Sequence, residues 1–141
     1  MASSSYILML EDDPDDRLMV SEVMAGLDVP VPITFLSKAS DLFPTLEQSE
    51  PILILMDYNL NPETGLELLK KVKAAPAYKH IPVVLLGDVT DSNFVAQCYF
   101  HGANTYAAKP TSMEATKRKI QLFFQYWLEV AETKLPQTLT T

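Results

Sequence analysis

The strongest constraint on the fold is an uninterrupted run of five apolar residues, Ile-Leu-Ile-Leu-Met at positions 52–56. A strand with one face in water alternates apolar and polar residues, so a continuous apolar run indicates burial on both faces. Such strands lie in the middle of parallel sheets that helices cover on both sides. The run ends at Asp57, which places a carboxylate at the end of a buried strand. This segment therefore predicts the centre of a parallel α/β sheet.

Other short apolar runs and segments of helical period alternate along the rest of the chain. Further strands are predicted at 6–10, 33–36, 81–86 and 105–108. Helices are predicted at 14–25, 40–48, 91–100 and 111–132, and another begins at Thr64. This alternation predicts an α/β fold, a doubly wound parallel sheet of five strands flanked by five helices. We expect residues 5–132 to form one domain and residues 133–141 a polar tail.

Composition narrows the functional classes. The 141 residues include 18 acidic and 11 basic ones, a net charge of −7 that argues against nucleic acid as a ligand. Cys98 is the single cysteine, which excludes an internal disulfide and a cysteine-cluster metal site.

The first residues lack the pattern of a signal peptide. No apolar run approaches the roughly 20 residues that cross a membrane. We expect a cytoplasmic protein.

Charged side chains follow several of the predicted strands, at the edge where ligands bind in open α/β sheets. They are Glu11, Asp12, Asp57, Asp88 and Lys109. Two carboxylates 4 Å apart repel by about 4 kcal/mol at an effective dielectric constant of 20. A cation must offset that repulsion, and oxygen ligands with room for water suit Mg²⁺. The sequence therefore predicts a magnesium site beside a lysine.

Four motifs, in this order and spacing, resemble the CheY-like receiver domain of two-component response regulators. They are ILMLEDDP at 7–14, LMDYNL at 55–60, IPVVLL at 81–86 and GANTYAAKP at 102–110. The resemblance covers about residues 5–130. It implies the strand order 2-1-3-4-5.

The resemblance also implies a role for each matching residue. Asp57 matches the phosphoacceptor, whose carboxylate takes a phosphoryl group from a phosphohistidine of a sensor histidine kinase. Glu11 and Asp12 match the acidic pair, with Asp12 binding Mg²⁺ directly and Glu11 through water. Asn59 matches the residue whose backbone carbonyl completes the metal site. Lys109 matches the lysine that contacts the phosphoryl group.

Three further positions concern the switch that follows phosphorylation in this family. Tyr106 matches an aromatic residue that changes rotamer, and Pro110 matches a proline whose preceding bond is usually cis. The chain departs from the family at Gly87, where the family has Thr or Ser. A hydrogen bond from that hydroxyl to the phosphoryl group would contribute roughly 1.5–3 kcal/mol. Inverting a 1:99 equilibrium between the two states of the switch takes about 5.5 kcal/mol. We therefore expect a weaker switch without loss of phosphorylation, and Asp88 adds unfavourable charge unless it points away.

The last predicted helix carries a surplus of aromatic residues. One stripe can cover the sheet: Met113, Ile120, Phe124, Trp127 and Ala131. That stripe leaves Phe123 or Tyr126 outside, and we assign an interface to Phe123, Tyr126 and Trp127. The segment FFQYWLE with its Leu-Pro tail resembles the single-domain regulators that partner bacterial phytochromes. In that subgroup the end of the chain helps to build a homodimer.

Competing functions remain open at this point. The first is a phosphoacceptor that signals through protein contacts, not an enzyme but one that assists its own phosphorylation and dephosphorylation. The second is a pseudo-receiver that acts as a constitutive interaction or dimerisation module, because Gly87 replaces the switch residue. A phosphatase or dehalogenase with Asp57 as nucleophile usually has a second carboxylate two residues later, where this chain has Asn59. A flavin-binding domain would need a phosphate loop after the first strand.

Overall fold

The computed structural model describes residues 5–60, 62–88 and 90–133. Five parallel strands form one sheet in the order β2-β1-β3-β4-β5. The strands are β1 (Ile7–Leu10), β2 (Ile33–Leu36), β3 (Leu53–Asp57), β4 (Val83–Gly87) and β5 (Thr105–Ala108). The helices are α1 (Pro14–Ala25), α2 (Leu42–Gln48), α3 (Gly65–Ala74), α4 (Ser92–Phe100) and α5 (Met113–Gln125). The predicted fold class and strand order are confirmed.

Two irregular turns depart from the predicted helices. A 3₁₀ turn, Ala39–Asp41, precedes α2, so Pro44 is the third residue of that helix and not an interior one. The first helical N–H groups have no partner within the helix, and a proline there breaks no hydrogen bond. After α5 the chain continues as a π-helical segment, Tyr126–Val130. The proposed boundary at residue 132 stays a prediction, because residues 134–141 lie outside the described residues.

Two apolar layers hold the helices against the sheet. On one face, α1 and α5 pack on residues of β1, β3 and β4 through Met19, Val20, Met24, Ile120 and Phe124. On the other face, α2, α3 and α4 pack through Leu42, Leu46, Leu68, Leu69, Val72 and Cys98. Every residue of β1, β3 and β4 is buried, as expected for strands covered on both sides. Alternation along each strand sends successive side chains to opposite layers.

Three helical side chains depart from a simple division into core and solvent faces. Leu18 in α1 is 60% exposed, whereas Val20 is buried. Met113 is 51% exposed, so its predicted place on the sheet-covering stripe of α5 is wrong. Lys73, near the end of α3, is half-buried. Its ammonium donates to the carbonyl oxygens of Lys79 and Ile81, at 3.0 and 2.8 Å. That ammonium joins the end of α3 to the loop before β4.

The helix that follows β3 lies against the backbone of Asp57, the end of that strand. Thr64 caps α3 in a capping box with Glu67, through hydrogen bonds in both directions. The next residue, Gly65, donates its N–H to the carbonyl of Tyr58 at 3.0 Å. A Cβ at Gly65 would lie 2.9 Å from the carbonyl oxygen of Asp57 and 3.0 Å from Cα of Tyr58. Only glycine allows the start of α3 to approach this closely, so the helix packs directly against the Asp57–Tyr58 backbone.

We expect Gly65→Ala to destabilise the protein by about 1–3 kcal/mol, because its methyl group meets backbone that cannot move freely. Gly26→Ala is the matched control, since its Cβ would meet nothing closer than 3.6 Å and its φ is −85°. That variant should be unchanged or more stable by about 0.4–1 kcal/mol. Urea unfolding of the two variants and the wild type measures both effects. Equal midpoints for the two variants would contradict the close packing at Gly65.

Candidate functional site

Strand alternation brings three charged residues to one face at the carboxyl edge of the sheet. Glu11, Asp57 and Lys109 stand at or just beyond the ends of β1, β3 and β5. Each comes two positions after a residue that packs in the α1/α5 layer, namely Met9, Leu55 and Ala107. Side chains two residues apart on a strand point the same way. The three charged groups therefore converge because β1, β3 and β5 are parallel strands of one sheet and end at the same edge.

The Lys109 ammonium is the centre of the site. Its Nζ donates to Oδ2 of Asp57 at 2.9 Å. It also lies 3.8 Å from Oε1 of Glu11 and 3.6 Å from Oδ2 of Asp16. The backbone N–H of Lys109 donates to the carbonyl of Gly87 at 2.9 Å, which extends the pairing of β5 with β4. One cation thus neutralises part of the charge of three acids.

Burial and neighbouring charges shift the pKa values of Glu11 and Lys109. Glu11 is 1% exposed; its Oε2 accepts from the N–H of Asp13 at 3.1 Å. Burial, then the hydrogen bond and charge of Asp57, raises the pKa of Glu11 to about 8. Burial acts to lower the pKa of Lys109, but the Asp57 carboxylate and the two other acids outweigh it and leave that pKa raised. Lys109 therefore stays charged at physiological pH.

Three carboxylates form the part of the site that fits a divalent cation. One oxygen each of Glu11, Asp16 and Asp57 lies within 4.8 Å of the others. Oε1 of Glu11 is buried without a hydrogen-bond partner among the described residues. A crowded set of oxygen ligands with one unsatisfied member fits a hard cation. The sequence identified Glu11 and Asp57, and both are brought together here.

The structure does not test metal binding by two other predicted residues, Asp12 and Asn59. Asp12 is exposed, and its carboxylate does not belong to the group of three found in the described part of the chain. Asn59 is also exposed, and its backbone N–H donates to Oδ1 of Asp57 at 3.0 Å. Metal binding by either residue stays a prediction. Asp16 was not among the predicted site residues, although its place in the first turn of a helix that follows β1 was a usable signal.

The switch positions lie on the opposite face of the sheet from Asp57. Gly87 follows Leu85 by two residues, and Leu85 packs in the same layer as Tyr106. A Cβ at Gly87 would lie 2.7 Å from Oη of Tyr106. The Tyr106 ring is 9% exposed, and Phe94 stacks edge-on against both Tyr106 and Tyr58. The tyrosine therefore fills the space that a Thr or Ser side chain would occupy. Asp88 is exposed.

The remaining predicted residues lie around α5. Pro110 is half-buried before the helix, and its carbonyl accepts from Oγ1 of Thr116 at 3.3 Å. Phe123 and Trp127 are half-buried against the α1/α5 layer. Tyr126 is 50% exposed and packs edge-on against Trp127. Of the three proposed interface residues, Tyr126 is the most exposed.

Comparison with known proteins agrees with this fold. Residues 7–121 match the family model of the response regulator receiver domain. The chain is 29% identical over 130 residues to response regulator Rcp1 of Synechocystis sp., covering 87% of this chain and 88% of Rcp1.

Solved structures of two such regulators superpose closely. The Mn²⁺-bound form of Rcp1 has a TM-score of 0.86 at 28% identity, over 92% of this chain and 99% of that chain. The phosphorylated cyanobacterial phytochrome response regulator RcpA has a TM-score of 0.85 at 26% identity, over 93% and 99%. The chain belongs to the response regulator receiver domain family, whose members are signalling modules that partner sensor histidine kinases.

No helix in residues 5–60, 62–88 and 90–133 is long and apolar enough to cross a membrane.

The raised pKa of Glu11 predicts a pH-dependent stability in metal-free buffer. The contribution of Glu11 to the free energy of unfolding is fully present below its unfolded-state pKa of about 4.3. That contribution is lost as pH rises to about 8. Each unit of difference between the folded-state and unfolded-state pKa corresponds to about 1.4 kcal/mol of unfolding free energy. We therefore expect Tm to fall by several degrees between pH 5 and 8.5. Glu11→Gln should flatten that slope. Thermal unfolding with a chelator present measures it.

Glu67→Gln serves as the control for this experiment. Hydrogen bonds from Thr64 lower the pKa of the Glu67 carboxyl, so it is already ionised throughout that pH range. Its slope should match that of the wild type. A slope unchanged in Glu11→Gln would show that another group causes the pH dependence.

Proposed function

We propose that this receiver domain accepts a phosphoryl group on Asp57 from a sensor histidine kinase in a two-component phosphorelay. The observation that carries the proposal is the 2.9 Å contact between the Lys109 ammonium and Oδ2 of Asp57, beside the buried Glu11. A carboxylate next to a fixed ammonium is suited to phosphoryl transfer, which needs positioning and charge neutralisation more than covalent help. Output through protein contacts follows as an expectation.

The proposed transfer uses Asp57 as the nucleophile. A carboxylate oxygen attacks the phosphorus of a phosphohistidine, the P–N bond breaks, and an acyl phosphate forms on Asp57 as the imidazole leaves. Lys109 supplies positive charge beside the oxygens of the transferred group. The N–H of Asn59 holds Oδ1 of Asp57 and so orients the carboxylate. In dephosphorylation, water attacks the same phosphorus, the P–O bond to Asp57 breaks, inorganic phosphate leaves and the Asp57 carboxylate is restored. We expect the domain to assist this step as well.

We expect Mg²⁺ to be the cation of this site. Glu11 and Asp57 are the predicted ligands whose oxygens lie together, and Asp12 and the carbonyl of Asn59 remain predicted ligands. When bound, the cation supplies positive charge against the phosphoryl oxygens. The compared structures are those of Rcp1 in its Mn²⁺-bound form and of RcpA in its phosphorylated form, which supports the same chemistry here. A cytoplasmic location and the lack of a nucleic-acid ligand also remain predictions.

A second candidate, a constitutive interaction module, is favoured by the position of Tyr106. The Tyr106 ring fills the space beside Gly87 that a Thr or Ser side chain would occupy. In this reading, phosphorylation produces little rearrangement at Tyr106, because no hydroxyl at position 87 links the two faces of the sheet. The two candidates differ in whether ligand binding at Asp57 moves the ring.

For either candidate we expect a homodimer through the end of α5. Tyr126 is half exposed, and Phe123 and Trp127 lie beside it. Val130, in the π-helical segment, is 68% exposed. A cavity of about 330 Å³ lies beneath this segment, at the amino ends of the strands, lined by Leu27, Val31, Ile52, Trp127 and Leu128. Because the Lys109 site lies at the carboxyl ends, the cavity and the segment are remote from the chemistry of Asp57.

The first prediction concerns the phosphoacceptor. Incubation with Mg²⁺ and acetyl phosphate should add the mass of one phosphoryl group to the wild type and none to Asp57→Asn. Asp12→Asn should reduce the rate through metal binding and leave Asp57 modifiable. Intact-protein mass spectrometry measures the gain. No gain in the wild type, or the same gain in Asp57→Asn, would overturn the proposal.

The second prediction concerns Gly87. Beryllofluoride with Mg²⁺ should barely change the Tyr106 ring resonances of the wild type. Gly87→Thr should move the ring outward at rest, because its Cβ would lie 2.7 Å from the phenol oxygen, and should give a larger response to beryllofluoride. Gly87→Ala is the control, since it displaces the ring without adding a hydroxyl. NMR of labelled tyrosine and sedimentation velocity measure the ring and the oligomeric state.

A strong response in the wild type, at the ring or in oligomeric state, would exclude the constitutive module. Equal responses in wild type and Gly87→Thr would contradict the account of the missing hydroxyl.

A further inference from the structure

We propose that Arg17 is a positioning residue for the phosphorylation of Asp57, because its side chain holds the end of β1 where Glu11 and Asp12 stand. The inference rests on the proposed function, since it concerns how the acids of that site are kept in place. Arg17 is not among the residues that the sequence pattern assigns to the site. Its effect on cation binding can be measured without any phosphoryl donor, so the two proposals can fail separately.

The guanidinium of Arg17 contacts two neighbouring strand ends from the start of α1. Its Nε donates to the carbonyl oxygen of Glu11 at 2.5 Å, and its Nη2 donates to Oγ of Ser37 at 2.6 Å. The guanidinium carbon lies 5.3 Å from the centre of the Phe35 ring, within the range of a cation–π contact. Glu11 follows β1 directly, whereas Phe35 lies in β2 and Ser37 follows that strand. One side chain therefore joins α1 to the carboxyl ends of both strands.

The hydrogen bond from Arg17 completes the support of Glu11. The N–H of Glu11 donates to the carbonyl oxygen of Leu36 at 3.0 Å, which extends the pairing of β1 with β2. Oε2 of the Glu11 carboxyl accepts from the N–H of Asp13 at 3.1 Å. The backbone N–H, the backbone carbonyl and the side chain of this residue are thus each held by a hydrogen bond. The shortest of the three comes from Arg17.

Arg17 does not neutralise the acids that surround it in the sequence. Five of the six residues at 11–16 are acidic, yet in the described part of the chain Arg17 forms no ion pair with a carboxylate. Of those five acids, Glu11 and Asp16 pair with Lys109. Carboxylates form the strongest hydrogen bonds with arginine, so an arginine that served to balance charge would face one. Its donors go instead to a backbone carbonyl and a hydroxyl, which indicates a role in holding the chain.

The support from Arg17 matters to the reaction because Glu11 stands beside the reacting carboxylate. Oε1 of Glu11 lies 3.8 Å from Nζ of Lys109, and the same ammonium donates to Oδ2 of Asp57 at 2.9 Å. Asp12, a predicted metal ligand, is the next residue along the chain. A displacement of about 1 Å in a site that orients reacting groups can lower a rate by about 100-fold. Arg17 therefore acts on phosphoryl transfer through Glu11 and Asp12.

The test measures the binding of Mn²⁺ alone by electron paramagnetic resonance. Arg17→Met removes both hydrogen-bond donations and keeps an apolar side chain beside Phe35. Loss of a residue that orients metal ligands lowers affinity by about 10–100-fold, so we expect binding to weaken by about tenfold or more. Removal of a positive charge near acids would by itself strengthen the binding of a cation. Positioning and simple charge therefore predict changes of opposite sign.

Two control variants separate positioning from charge and from stability. Arg118→Met removes the same charge from the exposed surface of α5, where Arg118 donates to Gln121 at 3.4 Å. Lys73→Met removes hydrogen bonds to backbone carbonyls near the amino end of β4, and so lowers stability away from the site. Both controls should bind Mn²⁺ as the wild type does. Arg17→Lys can donate one hydrogen bond without the planar fork of the guanidinium, and should recover part of the affinity.

The same variants give a second measurement with a phosphoryl donor. With Mg²⁺ and acetyl phosphate, Asp57 in Arg17→Met should gain a phosphoryl group about tenfold or more slowly than in the wild type. Lys73→Met and Arg118→Met should react at the wild-type rate. Circular dichroism confirms folding, and every measurement is made below the Tm of the least stable variant.

Three outcomes would overturn the inference: Mn²⁺ affinity in Arg17→Met that equals or exceeds that of the wild type, an equal loss of affinity in Lys73→Met, or no Mn²⁺ binding by the wild type. If the wild type gains no phosphoryl group while Arg17→Met alone weakens Mn²⁺ binding, the proposed function fails. In that case Arg17 still positions the acids at the end of β1.

Discussion

The mutual repulsion of acids gathered at one edge of the sheet is the constraint on which the site depends. Glu11 and Asp57 converge because β1 and β3 are neighbouring parallel strands, and Asp16 joins them from α1. Lys109 offsets part of this charge from the end of β5. Burial and the neighbouring Asp57 raise the pKa of Glu11, and one oxygen of Glu11 has no hydrogen-bond donor among the described residues. The fold therefore holds an acidic cluster that fits a divalent cation.

Strand alternation separates this charged group from the aromatic group around Tyr106. Asp57 belongs to the α1/α5 face, and Gly87 belongs to the face that packs on α3 and α4. Position 87 stands at the end of β4, the strand next to β3. With glycine there, the space goes to the tyrosine ring instead. The two faces remain close in space without a polar link through that position.

Much of the architecture follows from local patterns. The apolar run that ends at Asp57 predicts the central strand, and Asp13 with Pro14 predicts the start of α1. The convergence of Glu11, Asp57 and Lys109 follows once the strands are taken as parallel, because parallel strands share a carboxyl edge. The prediction that Met113 is buried was wrong. Helical spacing shows which residues share one side of α5, but it does not show where along the helix that side stops contacting the sheet.

The sequence by itself determined the parallel sheet, the family and the residues at the strand ends, since periodicity and turn chemistry act over a few neighbouring positions. Only the tertiary structure decided that a carboxylate oxygen of Asp16 lies within 4.8 Å of oxygens of Glu11 and Asp57. It also decided that Tyr106 fills the space beside Gly87. Both outcomes depend on the distance between residues from different elements. Such distances are set by how helices and strands pack, and no local pattern encodes them.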